Sequence, residues 1–349
     1  MRRSPLHGLN EEIGARFVEF GGWEMPVQFE SVLAEHRAVR SGAGIFDVTH
    51  LGRFALTGRG AHDAVSRLLC NDIDRIEPGR CQYTMILNPD GGIIDDLIVW
   101  WRDDGDFWLM PNAANHQRVM RAFADEPGCG VEDLQVSTVF IAVQGPAAPP
   151  MIEEVVGWKP ARYRNLGVES PHGPVSMAGT GYTGERGAEL CADAPTGEAL
   201  MRAFLEVGAI PCGLGSRDTL RLEAGLALWG EDIDETTTPF EAGLGFAVSL
   251  DHEFIGRDSL ETQSEEGVQR RLAGFVLEGR GIPRHGYRVR GEGGARGEVT
   301  SGNISPILDT GVGLAYLSPP ADDGAEVEVQ IRDRWVPGQV AKRPFHVSA

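Results

Sequence analysis

A chain of 349 residues exceeds what one compact core usually holds and suffices for two or three domains of roughly 100–150 residues. Its 42% hydrophobic and 24% charged residues match an ordinary soluble protein, and a net charge of −19 excludes general nucleic-acid binding, which needs a basic face to displace counterions. No apolar run reaches the roughly 20 residues of a membrane helix, and the opening MRRSPLHGLNEEIG lacks the apolar segment of a secretory signal.

Positive charge is carried almost wholly by arginine, Lys159 and Lys342 being the lysines. That bias fits planar anion recognition, genome base composition or a salty habitat equally well; an anionic ligand or partner therefore requires a local basic island. Cys70, Cys81, Cys129, Cys191 and Cys212 are odd in number and never spaced C-x-x-C, which suits free thiols in a reducing, cytoplasmic compartment. The histidines form no helical metal-binding pair, so no metal site is expected.

In chain order, the glycine-rich FGGWEMP precedes a helix from about Ser31 to Ser41, with Ser31 as N-cap, Gly42 following its end, and Val32, His36 and Val39 on one face. His36 reads as a packed histidine. IFDVTHLGRFAL, Ile45 to Leu56, reads as a strand pair or one bent strand with His50 near its middle, and a second helix runs through Ala61, Val65, Leu68 and Leu69. From Gln82 the pattern is strand, NPDGG turn, central strand, RDDGD turn and strand, then a helix starting near Asn112 with Val119, Met120 and Phe123 inward. Such a meander plus helix is half of an α+β sandwich. TVFIAVQ, a helix over Ala147 to Val156, PVSMA, a strand near Ala188 to Ala192 and the helix TGEALMRAFLEVG supply a second unit, so 1–250 reads as two interleaved α+β layers. Ser216 to Ala224 is a capped helix carrying Arg217, Arg221 and Glu223. A polar bridge at 251–270 leads to short alternating strands over 271–349, a small β-barrel or sandwich.

The central stretch GGIIDDLIVW, Gly91 to Trp100, places two adjacent carboxylates in an apolar run. Strand alternation sends Ile93, Asp95, Leu97 and Val99 one way and Ile94, Asp96, Ile98 and Trp100 the other, so the aspartates do not act as a pair. Burial raises a carboxyl pKa unless donors compensate. Asp96 reads as a lone carboxylate on a pocket floor, with Asp95 closing the preceding turn or meeting a buried donor; the alternative is that both cap turns or pair with arginine. GTGYTGERG meets the letter of a dinucleotide fingerprint at Gly179, Gly181 and Gly184, but a strand-like segment follows where a helix is required. The glycines instead allow a tight turn and close approach to a flat ligand, with Tyr182 and Glu189 on either side, or form a plain hairpin. GEDIDE lacks the spacing of a calcium loop and reads as a structural loop.

In order along essentially the whole chain, FGGWEMP, GIFDVTHLG, GGIIDDLIV, IAVQGP, GYTGERG, CGLGSRDTLRLEAGLALWGEDIDE, FIGRDSL and TSGNISP followed by GLAYL resemble the glycine cleavage T-protein family of tetrahydrofolate-dependent aminomethyltransferases. The resemblance implies an α+β cloverleaf: two interleaved ferredoxin-like units and a C-terminal Greek-key β-barrel around a folate site. It implies transfer of the aminomethyl group from the dihydrolipoyl arm of H-protein to tetrahydrofolate, releasing ammonia and forming 5,10-methylenetetrahydrofolate, by a monomer. Asp96 matches the family's essential aspartate, as base or electrostatic stabiliser. Tyr83, Asn112, Tyr182, Glu189, Arg217 and Trp229 match positions lining the folate pocket, although Trp229 stands where tyrosine is common. The runner-up is a tetrahydrofolate-dependent demethylase of the same superfamily acting on a small S-, N- or O-methyl compound. A folate-binding accessory protein is disfavoured by the absence of a cysteine in TGYTGERG, and an oxidase by the lack of room for a flavin domain.

Overall fold

The computed structural model describes residues 1–159 and 161–346. Two sheets share the first part of the chain. The six-stranded sheet runs in the order Asn165–Ser170, Gly173–Ala178, Gly187–Ala192, Val139–Gln144, Gly44–Asp47, Ile210–Cys212, and the five-stranded sheet in the order Arg80–Leu87, Ile93–Asp103, Asp106–Met110, Phe54–Thr57, Gly130–Asp133. Gly44–Asp47 precedes every strand of the five-stranded sheet yet pairs antiparallel with Val139–Gln144, which follows them all. One α+β unit is thus threaded through the other. The expected strand pair at Ile45 to Leu56 is corrected here: its halves, Gly44–Asp47 and Phe54–Thr57, belong to different sheets, and His50 lies in the loop between them. Both halves were apolar enough to be strands, but periodicity carries no information on which sheet each joins.

Each sheet turns one face to helices. Ala148–Val156 and Ala194–Glu206 cover the six-stranded sheet through Ile152, Leu200 and Phe204; Ala61–Leu68 and His116–Ala124 cover the five-stranded sheet through Val65, Val119 and Phe123. The other faces meet in a shared core of Phe46, Cys81, Trp100, Phe140, Cys212 and Leu220. Trp100 is fully buried there. Removing about 200 Å² of apolar ring from water is worth about 5 kcal/mol, more than any single hydrogen bond nearby, so packing fixes where the central strand lies.

Arg271–Leu277, Thr310–Ser318, Arg296–Ser305, Arg288–Gly291, Glu326–Ile331 and Arg334–Ala341 close into a barrel, resolving the choice between barrel and sandwich. The segment before it is not only a polar bridge: it contains the helix Arg257–Glu266, which buries Leu260. Helix Leu214–Glu223 ties the barrel to the sheets. Arg221 donates to Asp232 (2.6 Å) and to Ser301 of the barrel (2.8 Å). Glu223 accepts from Ser305 of the barrel, from Arg40 (2.7 Å) and pairs with His36 (3.1 Å), both on helix Val32–Ser41. His36 is therefore packed and hydrogen-bonded, as expected.

Burial alone raises the Glu223 carboxyl, but hydrogen bonds from His36 and Ser305 and the charge of Arg40 outweigh it and bring the pKa from 4.5 down to about 2. A depressed folded-state pKa contributes stability that is complete above 4.5 and is lost as pH falls towards 2, here about 3 kcal/mol. Thermal unfolding of Glu223→Gln is expected to begin from a lower midpoint at pH 7 and to show a smaller further loss between pH 5 and pH 2 than the unaltered protein; parallel pH curves would show that Glu223 does not carry this term.

Candidate active site

The central strand Ile93–Asp103 lies between Arg80–Leu87 and Asp106–Met110, with both of its faces covered. From Asp95 onward its side chains alternate as the sequence implies. Before Asp95 they do not: the pairing shifts between Ile86 and Leu87, which face Asp95 and Ile93 respectively. This bulge leaves Ile94 as the extra residue, so Ile94 packs with Leu97 and Val99 while Ile93 joins Met85 and Leu87 in the cluster on the Asp96 side. The simple alternation expected for Ile93 and Ile94 is reversed for that reason.

Asp95 is wholly buried and accepts from the Asn112 main-chain N–H (3.0 Å), the Asn112 side-chain amide (2.9 Å) and the Asn115 amide (2.7 Å). It meets buried donors, one of the two outcomes considered for it. Asp96 is half-buried and accepts from the Tyr83 hydroxyl (3.0 Å) and the Asn112 amide (2.8 Å). The aspartates point to opposite faces, yet they are coupled, because Asn112 binds both. The expectation that they do not act as a pair is corrected to that extent. Asn112 reaches them because the helix expected to start near it begins only at His116, leaving Asn112 in the preceding loop.

Burial raises the Asp95 carboxyl well above its usual range, the charge of Asp96 adds to the rise, and the asparagine donors oppose it. Asp96 is also raised by burial, partly offset by hydrogen bonds from Tyr83 and Asn112. Tyr83 is pushed well up by burial and by the Asp96 charge, so it remains a donor. Its ring stacks on Phe246 (centroids 6.1 Å apart), a 71% exposed aromatic at the edge of this cluster. Trp229 packs against the same cluster and donates its indole N–H to the Ile93 carbonyl at 3.2 Å.

The glycine loop and helix Leu214–Glu223 form the other end. The Tyr182 hydroxyl donates to Ala227 O at 2.5 Å, and the Arg217 guanidinium lies 5.0 Å from the centre of the Tyr182 ring. Tyr182 links the two ends: its electrostatic surroundings include Asp96, Arg217, Arg221 and Asp232. Glu189 accepts from Thr180 at 2.6 Å. Its charge acts on Arg217, but among the described residues Arg217 makes no ion pair or side-chain hydrogen bond. Arg217 is 8% exposed and its Nη1 is buried without a partner.

The glycines do not make room for a ligand. A Cβ at Gly181 would lie 1.9 Å from Gln144 Oε1, and Gly184, at φ +79°, would meet the Ala224 side chain at 2.8 Å. Close approach is to the protein's own interior, and the strand Gly187–Ala192 follows, as the rejection of a dinucleotide fingerprint required. GEDIDE is likewise structural, with Asp232 buried beneath Arg221.

Sequence reasoning missed three residues here. Asn115 stands three positions beyond Asn112, a visible spacing whose partner was not. Phe246 gave no signal in a loop sequence. His50 is 2% exposed with Nδ1 buried and unpartnered; burial, then the charges of Arg217 and Arg53, push its pKa from 6.5 down to about 3. It is a neutral imidazole on which the charge of Arg217 acts.

Two interleaved α+β units and a closed barrel, keyed together by one helix that also carries a pocket arginine, define a three-lobed protein with a carboxylate–aromatic–arginine site at its centre. The chain matches the family models described as GCVT N-terminal domain over residues 6–252 and Glycine cleavage T-protein C-terminal barrel domain over 270–346. It is 44% identical to an aminomethyltransferase of Nostoc sp. (strain PCC 7120), covering 100% of this chain and 96% of that one, and 42% identical to an aminomethyltransferase of Geobacillus kaustophilus, covering 99% of both. The crystal structure of glycine cleavage system aminomethyltransferase T from Bartonella henselae superimposes with a TM-score of 0.92 at 31% identity, over 99% of this chain and 98% of that chain. The chain belongs to the glycine cleavage T-protein family. These relatives favour aminomethyl transfer over the demethylase alternative.

Asp95→Asn would turn an amide N–H₂ towards groups that can only donate. Unfolding by denaturant is expected to show a loss of about 1–3 kcal/mol, the cost of buried donors left unmatched; an unchanged midpoint would remove Asp95 from the architecture of the site.

Proposed function

We propose that this protein is the aminomethyltransferase of a glycine cleavage system, moving the one-carbon unit from aminomethyl-dihydrolipoyl H-protein to tetrahydrofolate. The observation that carries the reading is Asp96: a half-buried carboxylate of raised pKa, held by Tyr83 and Asn112 within a wall of flat aromatic rings. In the overall reaction the methylene carbon exchanges its C–S and C–N bonds for bonds to two folate nitrogens. The two protons those nitrogens lose are taken up by sulfur and by the departing ammonia. Asp96 accepts such a proton or balances the cation that forms, and either role requires the ionised form; a raised pKa makes it the stronger base. Tyr83 and Asn112 fix its oxygens, Trp229 and Tyr182 present ring faces, and Glu189 and Arg217 supply an acceptor and a donor for the polar edge of a pterin. Holding both reactants in place adds proximity to acid–base help worth roughly 10²–10⁴ in rate.

The division into a folate-binding region at 1–250, a connector at 251–270 and a barrel at 271–349 is supported by the two family matches, which end at 252 and resume at 270. A cytoplasmic monomer is the matching cellular form; its five unpaired cysteines suit a reducing compartment. The carrier's docking face is supported by charge. On a chain of net charge −19, the barrel holds a cavity of about 610 Å³ lined by Arg280, Arg284, Arg332 and Arg334. With Asp333 the one acid among its lining residues, this local excess of positive charge supports reading it as the face that an acidic partner meets.

The test is production of methylenetetrahydrofolate from aminomethyl-loaded H-protein. Asp96→Asn is expected to retain tetrahydrofolate binding and to lose at least about 10² in turnover; near-normal turnover would overturn the assignment. In the same assay Arg284→Glu is expected to raise the KM for loaded H-protein about tenfold while leaving that for tetrahydrofolate within about twofold. An unchanged H-protein KM would move the docking face elsewhere.

A further inference from the structure

One buried polar side chain in the loop next to Asn112 is left unused by the reading above. His50 is 2% exposed, and its ring makes no hydrogen bond with any described residue. The ring lies edge-on to Phe20, at 5.3 Å between centroids. A neutral imidazole always carries one N–H and one lone pair, and leaving such a group unmatched inside a protein is costly enough that most buried ones find a partner.

The backbone around it is secured without the ring. His50 O accepts from the Gln135 amide at 2.9 Å, Leu51 N–H donates to Val48 O at 3.0 Å, and Gly52 N–H donates to Pro111 O at 2.9 Å. Pro111 directly precedes Asn112, so the His50 loop is pinned to the loop that holds Asp95 and Asp96. The charge of Arg217 acts on the imidazole, and the Arg217 Nη1 is also buried and unpartnered. Among the described residues, two buried groups thus lack protein partners, one a pure donor and the other both donor and acceptor.

We infer that His50 is a ligand-contacting residue that, with Arg217, hydrogen-bonds the polar edge of the tetrahydropterin ring. The inference rests on the folate reading and extends it by one residue. The guanidinium donates to a ring carbonyl. The imidazole can take a ring N–H or give its own proton to a ring acceptor, which a second arginine could not do. Having no fixed protein partner, it is free to match either. A cationic ligand is disfavoured here because Arg217 and Arg53 both bear on the site. The adjoining group is therefore a neutral or electron-rich ring edge and not the amine of the donor.

Equilibrium binding, measured without H-protein, tests this with two probes: tetrahydrofolate, and 6-methyltetrahydropterin, which has the ring and no tail. His50→Leu is expected to weaken both about tenfold, and His50→Gln, which restores a donor and an acceptor, to recover both to within about threefold. Because the loop is held by its main chain, the thermal midpoint of each variant checks that the fold persists. Unchanged binding of both probes by a folded His50→Leu variant would overturn the inference, leaving the folate reading intact. So would weakening of tetrahydrofolate alone, which would put His50 against the tail, or equal weakening by Leu and Gln, which would make the ring a packing element. Failure of the unaltered protein to bind either probe would overturn the folate reading itself.

Discussion

One carboxamide holds two acids in place. The side chain of Asn112 donates to Asp95 on one face of the central strand and to Asp96 on the other, while its main-chain N–H adds a second bond to Asp95. Adjacent carboxylates in a buried strand would otherwise each face apolar neighbours without a donor, at a cost far larger than one hydrogen bond recovers. The constraint reaches outward from there. Asn112 must lie in a loop, so the following helix starts only at His116; Asn115 must turn inward to complete the shell of Asp95; and Tyr83 must come from the neighbouring strand to serve Asp96. Two carboxyls that share an amide titrate as a coupled pair, and burial moves both upward. Asp95 is the enclosed member, and Asp96 is the half-buried one.

Helix Leu214–Glu223 solves a similar problem in the opposite sense. Ser216, Arg217, Thr219, Arg221 and Glu223 are all buried, an unusual load of polar groups for ten residues. A buried charge is tolerable when its hydrogen bonds are complete and costly when they are not. Arg221 and Glu223 are complete, and their partners lie on the barrel and on helix Val32–Ser41, so satisfying them is the same act as assembling the lobes. Arg217, on the same helix, has no such set. The contrast within one element separates the charges that tie the lobes together from one whose Nη1 has no partner among the described residues.

Much of this was legible in the sequence, for reasons that differ from part to part. The barrel strands, the central meander and the helices on the outer faces each carry a local period, and local period is what a sequence displays. The resemblance of ordered blocks placed Asp96, Tyr83, Asn112, Tyr182, Glu189, Arg217 and Trp229 in one region, and the fold brings them together around the inner faces of the two sheets. What stayed hidden is non-local. The bulge that exchanges Ile93 and Ile94 depends on how Arg80–Leu87 pairs with its neighbour. The separation of Gly44–Asp47 from Phe54–Thr57 depends on strands far along the chain. The crowding at Gly181 comes from Gln144, which no spacing rule connects to it. Partner identity, more than secondary structure, is where the reading of residues ran out.

The glycine loop shows how the same local conformation serves different ends. A fingerprint loop uses its glycines to bring main-chain amides to a phosphate at the start of a helix. Here the loop passes instead into a strand, and the space freed by the missing Cβ atoms is taken by Gln144 and Ala224. Tight internal packing lets the Tyr182 hydroxyl reach Ala227 O and sets its ring against Arg217. The tyrosine hydroxyl is thereby consumed by the scaffold, leaving a ring face and an uncommitted guanidinium towards the centre. At the Asp96 end the polarity is reversed: an acceptor is fixed by donors that the protein itself supplies. An acceptor held by donors thus stands at one end, and a donor without a partner among the described residues at the other.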